Sequence, residues 1–489
     1  MKKKYKSDQR VSIMTDFESM GNASKTVLLL SVFALLAVVF TACSVVKPYQ
    51  RPNVVDEKYY RTDQIVADTA GIANMSWKEL FTDDLLQGYV QKALDNNLDI
   101  RMAIEQIKVA ESYMKQGKAS FFPTMSVGPQ LSFQSGSVNT QFGRIAGNRQ
   151  EVVQYQIGAD LSWEADIWGK IRSNQKALLA SFLRTEAAHQ GVKSLLVATI
   201  ADSYYQLLAL DEQKRITETT IVTRKKNLET TKALKEAGTL TEVAVKQSEA
   251  LLYNAQGILL TIDNSIKLLE NFFSILLGVS PQSVPRNTLD IQQITSDLAV
   301  GVPAQLLRNR PDVKTAEYQL MNAFELTNVA KANFYPSLRL SASGGVQSVD
   351  IDVLFSAGSL FGNLAGSLLQ PVLNQRKLRT QYEVSLSNQQ SAYLNYRKAL
   401  LTATREVSDA LYSYQTQNKM TEIKLHEFED YKLAKEYSQD LVNQGFANYL
   451  EVLRAEENQL TAQLSYINAR YGKLRAMVQL YQALGGGWR

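Results

Sequence analysis

From Thr124 the chain alternates, with Met125, Val127, Leu131 and Phe133 on one side and Ser126, Gln130, Ser132 and Gln134 on the other. A second stretch sets Val153, Tyr155, Ile157, Ala159, Leu161 and Trp163 against Gln154, Gln156, Asp160, Ser162 and Glu164. Period-two alternation over about ten residues predicts strands with one apolar and one polar face, the length and texture of a membrane-barrel strand. A half-buried strand of a soluble sandwich alternates in the same way. Between the two, Ser135 to Glu151 is polar and glycine-containing, as an exposed loop requires. Ahead of them, Asp83 to Ala119 reads as one helix, stopped by Pro123, which lacks an N–H and disfavours helical geometry in the residue before it. Behind them, Lys170 to Ala237 holds no proline and a single glycine. That predicts a helix about 100 Å long at ~1.5 Å per residue. Leu252, Ala255, Leu259, Ile262, Ile266, Leu269 and Phe273 then advance by threes and fours, as in a packed coiled coil.

The pattern occurs twice. KASFFP at Lys118 to Pro123 returns as KANFYP at Lys331 to Pro336, and the same offset of 213 aligns Asn96–Ala110 with Asn309–Ala323. Beyond a loop the offset becomes 207, pairing Tyr205 with Tyr412, Gly238 with Gly445, Glu249 with Glu456 and Gly278 with Gly485. Leu338, Leu340, Ala342 and Val346 alternate less cleanly, Leu360 to Gln370 is glycine-rich, and Leu464, Ile467, Tyr471, Leu474, Val478 and Tyr481 repeat the coiled-coil rhythm. A period near 200 residues is too long for a solenoid unit and indicates a duplicated domain. The expected layout is residues 76–285 and 301–489 as two repeats, joined by a linker at 286–300.

Aromatic pairs mark both helix-to-strand junctions, Phe121-Phe122 and Phe334-Tyr335, and Trp163 and Trp168 stand near the return. Such residues suit the interfacial belt of a membrane barrel, which favours the membrane reading of the strands over the soluble one. Two halves supply four strands. Single-chain barrels begin at about eight, and open edges cannot face lipid, so several copies must close the barrel; three would give about twelve strands.

Charge and targeting narrow the picture. Residues 1–42 hold six Lys/Arg against three Asp/Glu, leaving 47 against 45 in the remainder, too balanced for a general nucleic-acid affinity. Lys2, Lys3, Lys4 and Lys6 precede an uncharged apolar run, Thr26 to Phe40, of signal-peptide length. The run ends in Phe40-Thr41-Ala42-Cys43, similar to a bacterial lipobox with Phe40 in place of the usual leucine. Residues 1–42 are therefore expected to be a signal peptide, Cys43 to be lipidated, and 43–75 to form a lipid-anchored extension. As the single cysteine, Cys43 leaves no internal disulfide.

Catalytic chemistry finds little support. The SxxK matches at Ser44, Ser112 and Ser173 lack the SDN and KTG companions, and His189 and His426 lack HExxH spacing. There is no phosphate-cradling GxxxxGK[ST], so energy must come from a partner. No cofactor, metal site or enzymatic activity is expected.

CSVVKPYQRP after the lipobox, LLRNRPDVKTAE at Leu306 to Glu317, YLEVLRAEENQLTAQ at Tyr449 to Gln463 and the terminal ALGGGW occur in order along the chain. In this arrangement the chain resembles the TolC-like outer-membrane efflux factors of the lipid-anchored OprM and NodT type. The resemblance implies a mixed α and β membrane protein: a homotrimer with a twelve-stranded outer-membrane β-barrel continued by a periplasmic α-helical barrel. It implies a passive exit duct for drugs or other small toxic compounds, served by a periplasmic membrane-fusion adaptor and an inner-membrane pump of RND type, and set in outer-membrane lipid. It also implies that the turns at Gly238-Thr239 and Gly445-Phe446 dock the adaptor. Leu450, Glu451 and Arg454 would line the periplasmic aperture, Arg454 standing where relatives usually carry an aspartate. Residues 451 and 454 share a helix face, so a surface ion pair is the plain alternative to pairing across a trimer. Export of metal ions or peptides through the same fold, and a non-transporting coiled-coil lipoprotein scaffold, are the competing readings.

Overall fold

The computed structural model describes residues 45–52, 75–292 and 310–488. The expected signal peptide, Cys43, most of the 43–75 extension and the greater part of the linker lie outside these residues. The chain divides into two compact units, each drawing on both sequence repeats.

The first unit comprises the described residues of 1–50, 113–179 and 321–390. Its centre is one antiparallel sheet in the order β1 (Thr124–Ser135), β2 (Glu151–Ala165), β3 (Ser337–Ser348) and β4 (Leu360–Leu369). Pairing of Leu131 with Tyr155, Ile157 with Val346 and Ala342 with Leu364 carries the apolar alternation across all four strands. Apart from its margin, where Ser348 stands, one sheet face is thus apolar and uncovered, with Leu131 67% and Leu364 80% exposed. The opposite face carries Gln130, Gln156, Asp160, Ser343 and Asn363. The glycines that blur the β4 pattern, Gly362 and Gly366, fall on the apolar face beside Leu360, Leu364 and Leu368. The expected plain loop between β1 and β2 contains a short helix, Gln141–Ala146, because the Thr140 hydroxyl accepts from the Gly143 N–H and caps it.

Helices α1 (Trp77–Leu80), α2 (Asp84–Asn96) and α3 (Leu98–Ala119) come before β1. The single helix expected from Asp83 to Ala119 is broken at Asn97. The Asn97 side-chain oxygen accepts from the Asp99 and Ile100 N–H groups at 2.9 and 3.2 Å, and its amide donates to the Leu276 carbonyl at 2.9 Å. An asparagine that can bond the backbone locally ends one helix and starts the next. The loop helix is α4. Next come α5 (Lys170–Glu236), α6 (Glu242–Leu276), α7 (Pro311–Ala332), α8 (Lys377–Asn443) and α9 (Tyr449–Ala483). Helices α5 and α8 are 67 residues each and coincide under the 207 offset, as do α6 and α9 at 35 residues each. Among the described residues no helix is long and apolar enough to cross a membrane.

The second unit comprises the described residues of 51–112, 180–320 and 391–488. Its most deeply buried side chains include Phe81, Leu86, Ile200, Tyr204, Phe273, Met477 and Tyr481. Phe81 packs edge-on to Tyr205 and Tyr481, with ring centroids 6.4 and 6.3 Å away. Along α6 five residues of the predicted stripe, Leu252, Ala255, Ile262, Ile266 and Phe273, are buried, and Leu259 and Leu269 are half-buried. Helix α9 buries further faces, through Ala476, Met477 and Leu480, so the apolar stripes of the two repeats differ in register although the helices do not.

Candidate functional site

At the strand junctions of the first unit, the indole of Trp163 donates to the Phe121 carbonyl at 2.9 Å, and that of Trp168 donates to the Pro336 carbonyl at 2.7 Å. The two tryptophans therefore tie down both copies of the repeated phrase. Trp168 also packs at a tilt against Tyr335 at 5.0 Å, and Phe334 packs edge-on to Tyr382 at 5.8 Å. Phe122 projects outward at 73% exposure. On the polar sheet face Glu164 receives Lys170 at 2.8 Å and Arg339 at 3.4 Å. Asp160 lies further along the same face without an ion pair among the described residues.

The segment that follows the expected lipid site docks on α7 by polar contacts that its sequence does not announce. In the first unit, the Lys331 ammonium donates to the Val45 carbonyl at 3.0 Å, the Asn328 amide donates to the Lys47 carbonyl at 3.0 Å, and Tyr49 meets Phe324 at 5.6 Å.

In the second unit both helix-hairpin tips share one geometry. Gly238 has φ +75° and Gly445 φ +81°, the left-handed conformation that glycine adopts without a Cβ penalty. At the first tip Gly238 N–H donates to Lys235 O and Thr239 N–H to Leu234 O. At the second, Gly445 N–H donates to Val442 O and Phe446 N–H to Leu441 O. Each is a Schellman cap, which satisfies the carbonyls left over at a helix C-terminus. The next helix begins within six residues, so these caps set the hairpins. Tyr449, Val452 and Leu453 form a buried cluster with Leu240, Leu251, Val442 and Leu450, joining the two tips. Phe446 is 78% exposed.

Glu451 and Arg454 face away from that cluster and are exposed. The i,i+3 ion pair open to them is not formed, and neither has an ion pair among the described residues.

Behind the tips lies a buried polar group absent from the expected sites. Thr231 meets the hydroxyls of Tyr449 and Ser248 at 3.2 and 3.4 Å, and Asn227 donates to Glu456 at 2.6 Å. Arg224 and Glu456 are 3% and 7% exposed. Burial pushes the Glu456 carboxyl up and the Arg224 guanidinium down. A signal existed: Glu456 stands three residues after Leu453 and four before Leu460, on the apolar stripe itself.

An uncovered apolar sheet face with a polar reverse, built from both sequence repeats, in a chain that also forms hairpins of very long helices, is the pattern of an outer-membrane channel protein. The family model for outer membrane efflux proteins matches residues 89–278 and 302–486, and the chain belongs to that family. The solvent efflux pump outer membrane protein SrpC of Pseudomonas putida is 31% identical over 465 residues, covering 94% of this chain and 98% of SrpC. The cation efflux system protein CusC of Escherichia coli (strain K12) is 26% identical over 458 residues, covering 92% and 98%. Among solved structures, the outer-membrane channel OprN superposes with a TM-score of 0.85 at 24% identity over 91% of this chain and all of that one. The open state of the MtrE outer membrane channel of Neisseria gonorrhoeae gives 0.81 at 25% identity over 91% and 99%. The chain is thus an outer-membrane efflux channel component, with the fold of the family.

Proposed function

We propose that the protein is the exit duct of a tripartite efflux system, a trimer whose twelve strands close one outer-membrane barrel. The observation that carries this is the four-stranded sheet, apolar on one continuous face, in which β1 and β4 each pair on one side only among the described residues. Exposed strand edges beside an apolar face are costly in lipid unless another chain completes them. Helix α6 supports the same reading. Besides its buried stripe it carries Tyr253, Leu260, Leu268 and Ile275, at 60% to 71% exposure and seven or eight residues apart. A helix between two neighbours in a closed ring needs apolar residues on both flanks.

In this reading the Schellman-capped tips meet a periplasmic adaptor, and Glu451 and Arg454 lie at the aperture it opens. An inner-membrane pump of RND type supplies the energy, and lipidated Cys43 adds an anchor beside the segment docked on α7. The cargo is small toxic compounds, solvents among them by likeness to SrpC. The likeness to CusC favours metal-ion export as the second reading; the pump encoded beside this gene separates the two. The scaffold alternative has no use for an uncovered apolar sheet.

Reconstitution in planar bilayers, with the oligomeric mass measured on the same preparation, tests the proposal. A trimer of small closed-state conductance is expected. A folded, non-conducting monomer or dimer would overturn it.

A further inference from the structure

Within the second unit, a cavity of about 190 Å³ lies among α5, α8 and α9, lined by Arg215, Thr223, Arg224, Lys435, Glu456 and Gln459 among others. Arg224 is 3% exposed, and its Nη1 donates to the Leu251 carbonyl of α6. Its Nε and Nη2 are buried and find no hydrogen-bond partner among the described residues. These two N–H groups form one edge of the guanidinium, the planar fork that grips a carboxylate or phosphate with two parallel hydrogen bonds. The fixed Nη1 holds that edge in place.

The neighbouring charges are committed elsewhere. Arg215 is clasped by Glu212 at 2.9 and 2.5 Å. Glu456 accepts from Asn227 at 2.6 Å and lies 3.9 Å from the Lys435 ammonium. The buried Glu456 carboxylate, and beyond it the exposed Glu457, attract Arg224 without bonding it. No carboxylate forms an ion pair with Arg224 among the described residues. A buried cation with the N–H donors of two of its three nitrogens unmade is costly, and an anion with two acceptor oxygens matches the fork that is missing a partner.

We infer that this cavity binds a compact oxyanion in the Nε–Nη2 fork of Arg224, with the Lys435 ammonium at its rim. The chemistry is that of a free phosphate or small carboxylate; a cavity of this size suits an ion with its waters. Such an ion would bridge α5 to α8, and with them the two hairpins. This inference stands apart from the conduction reading, because a binding measurement on the purified protein decides it whether or not the protein conducts.

Inorganic phosphate is the probe. Calorimetric titration of the purified full chain, at constant ionic strength set with chloride, should show saturable binding of one phosphate per chain. Arg224→Lys, which keeps the charge but lacks the fork, should weaken it at least about tenfold, and Arg224→Gln should abolish it. Lys226→Gln, at an exposed position on the same helix, should leave it unchanged. No saturable binding to the wild type, or equal binding to the Arg224 variants, overturns the inference. Should neither Arg224 variant fold, a cryo-electron microscopy map of the wild type in phosphate decides. Density within hydrogen-bond distance of both Nε and Nη2 supports the site, whereas water alone, or the Glu456 carboxylate swung into the fork, overturns it.

Discussion

The Trp168 indole donates to the Pro336 carbonyl at 2.7 Å, joining the end of the first pair of strands to the start of the second. Trp163 makes the corresponding bond to Phe121 at 2.9 Å, so each helix-to-strand junction is pinned by an indole N–H. Both rings combine an apolar body with a polar handle, as interfacial residues do. Trp168→Phe keeps most of the ring area and removes the donor, and should cost about 1 kcal/mol. Thermal unfolding followed by circular dichroism checks it; an unchanged midpoint would show that the bond contributes nothing net.

The second repeat enters α8 through two consecutive non-glycine residues in the left-handed region, Gln375 at φ 55° and Arg376 at φ 64°. The first repeat has Gly169, at φ +76°, where the second has Arg376. A residue with a Cβ pays about 1 kcal/mol or more to hold that conformation. Gln375→Gly should therefore raise stability by roughly 0.5 kcal/mol, after the greater freedom glycine gains in the unfolded chain is subtracted. A drop in the unfolding midpoint would mean that Gln375 makes a contact worth more than its strain.

How much of this was legible in the sequence depends on whether local or distant groups decided it. Helices α5 and α8 and the strands were readable, because periodicity and the prolines and glycines at their ends are local signals. The break at Asn97 was not, since it needs a carbonyl 179 residues away to hold the side chain. The tip glycines were legible, and the caps agree with them. Whether Glu451 and Arg454 pair was not, because both face outward from the chain. Glu456 and Arg224 were missed although a charge on an apolar stripe marks a buried polar site; the repeat gave no help, since the related Glu249 pairs with Lys246 at 2.9 Å instead.

Asp83 is the hub of the second unit's core. Its carboxylate caps α2 through the N–H groups of Leu85 and Leu86, and accepts from Tyr204 at 2.9 Å, Asn287 at 3.0 Å and Gln292 at 2.7 Å. Asp83→Ala strips a buried network of its common acceptor, and should destabilise by about 3 kcal/mol. Asp83→Asn should cost less, since its amide oxygen still serves the cap. Equal losses for the two variants would show that the negative charge, rather than the capping oxygen, is what the site requires.

Glu456 gives stability a pH dependence. Burial raises its carboxyl above the ordinary 4.5, against the opposing pull of Lys435, Arg224 and Asn227. Between the unfolded and folded values the native state holds more protons than the unfolded chain, so this residue's contribution weakens as pH rises through that window. Glu456→Gln removes the titration while keeping an oxygen for Asn227. Its midpoint should exceed the wild type's at pH 7.5, and the difference should shrink as pH falls towards 4.5. A constant difference across that range would exclude Glu456 as the source.

Arg454 tests the aperture. Glu451 and Arg454 are exposed and make no ion pair with each other, although one turn of α9 separates them. In the proposed trimer, a guanidinium at this exposed position facing a carboxylate of the next chain would hold the tips together. Arg454→Ala should then raise single-channel conductance severalfold at low salt and increase leakage of small dyes from proteoliposomes. At high salt the wild type should move towards the variant, because exposed ion pairs are screened. Unchanged conductance at both ionic strengths would remove Arg454 from the closure and leave the apolar tip cluster of Tyr449, Val452 and Leu453 as its basis.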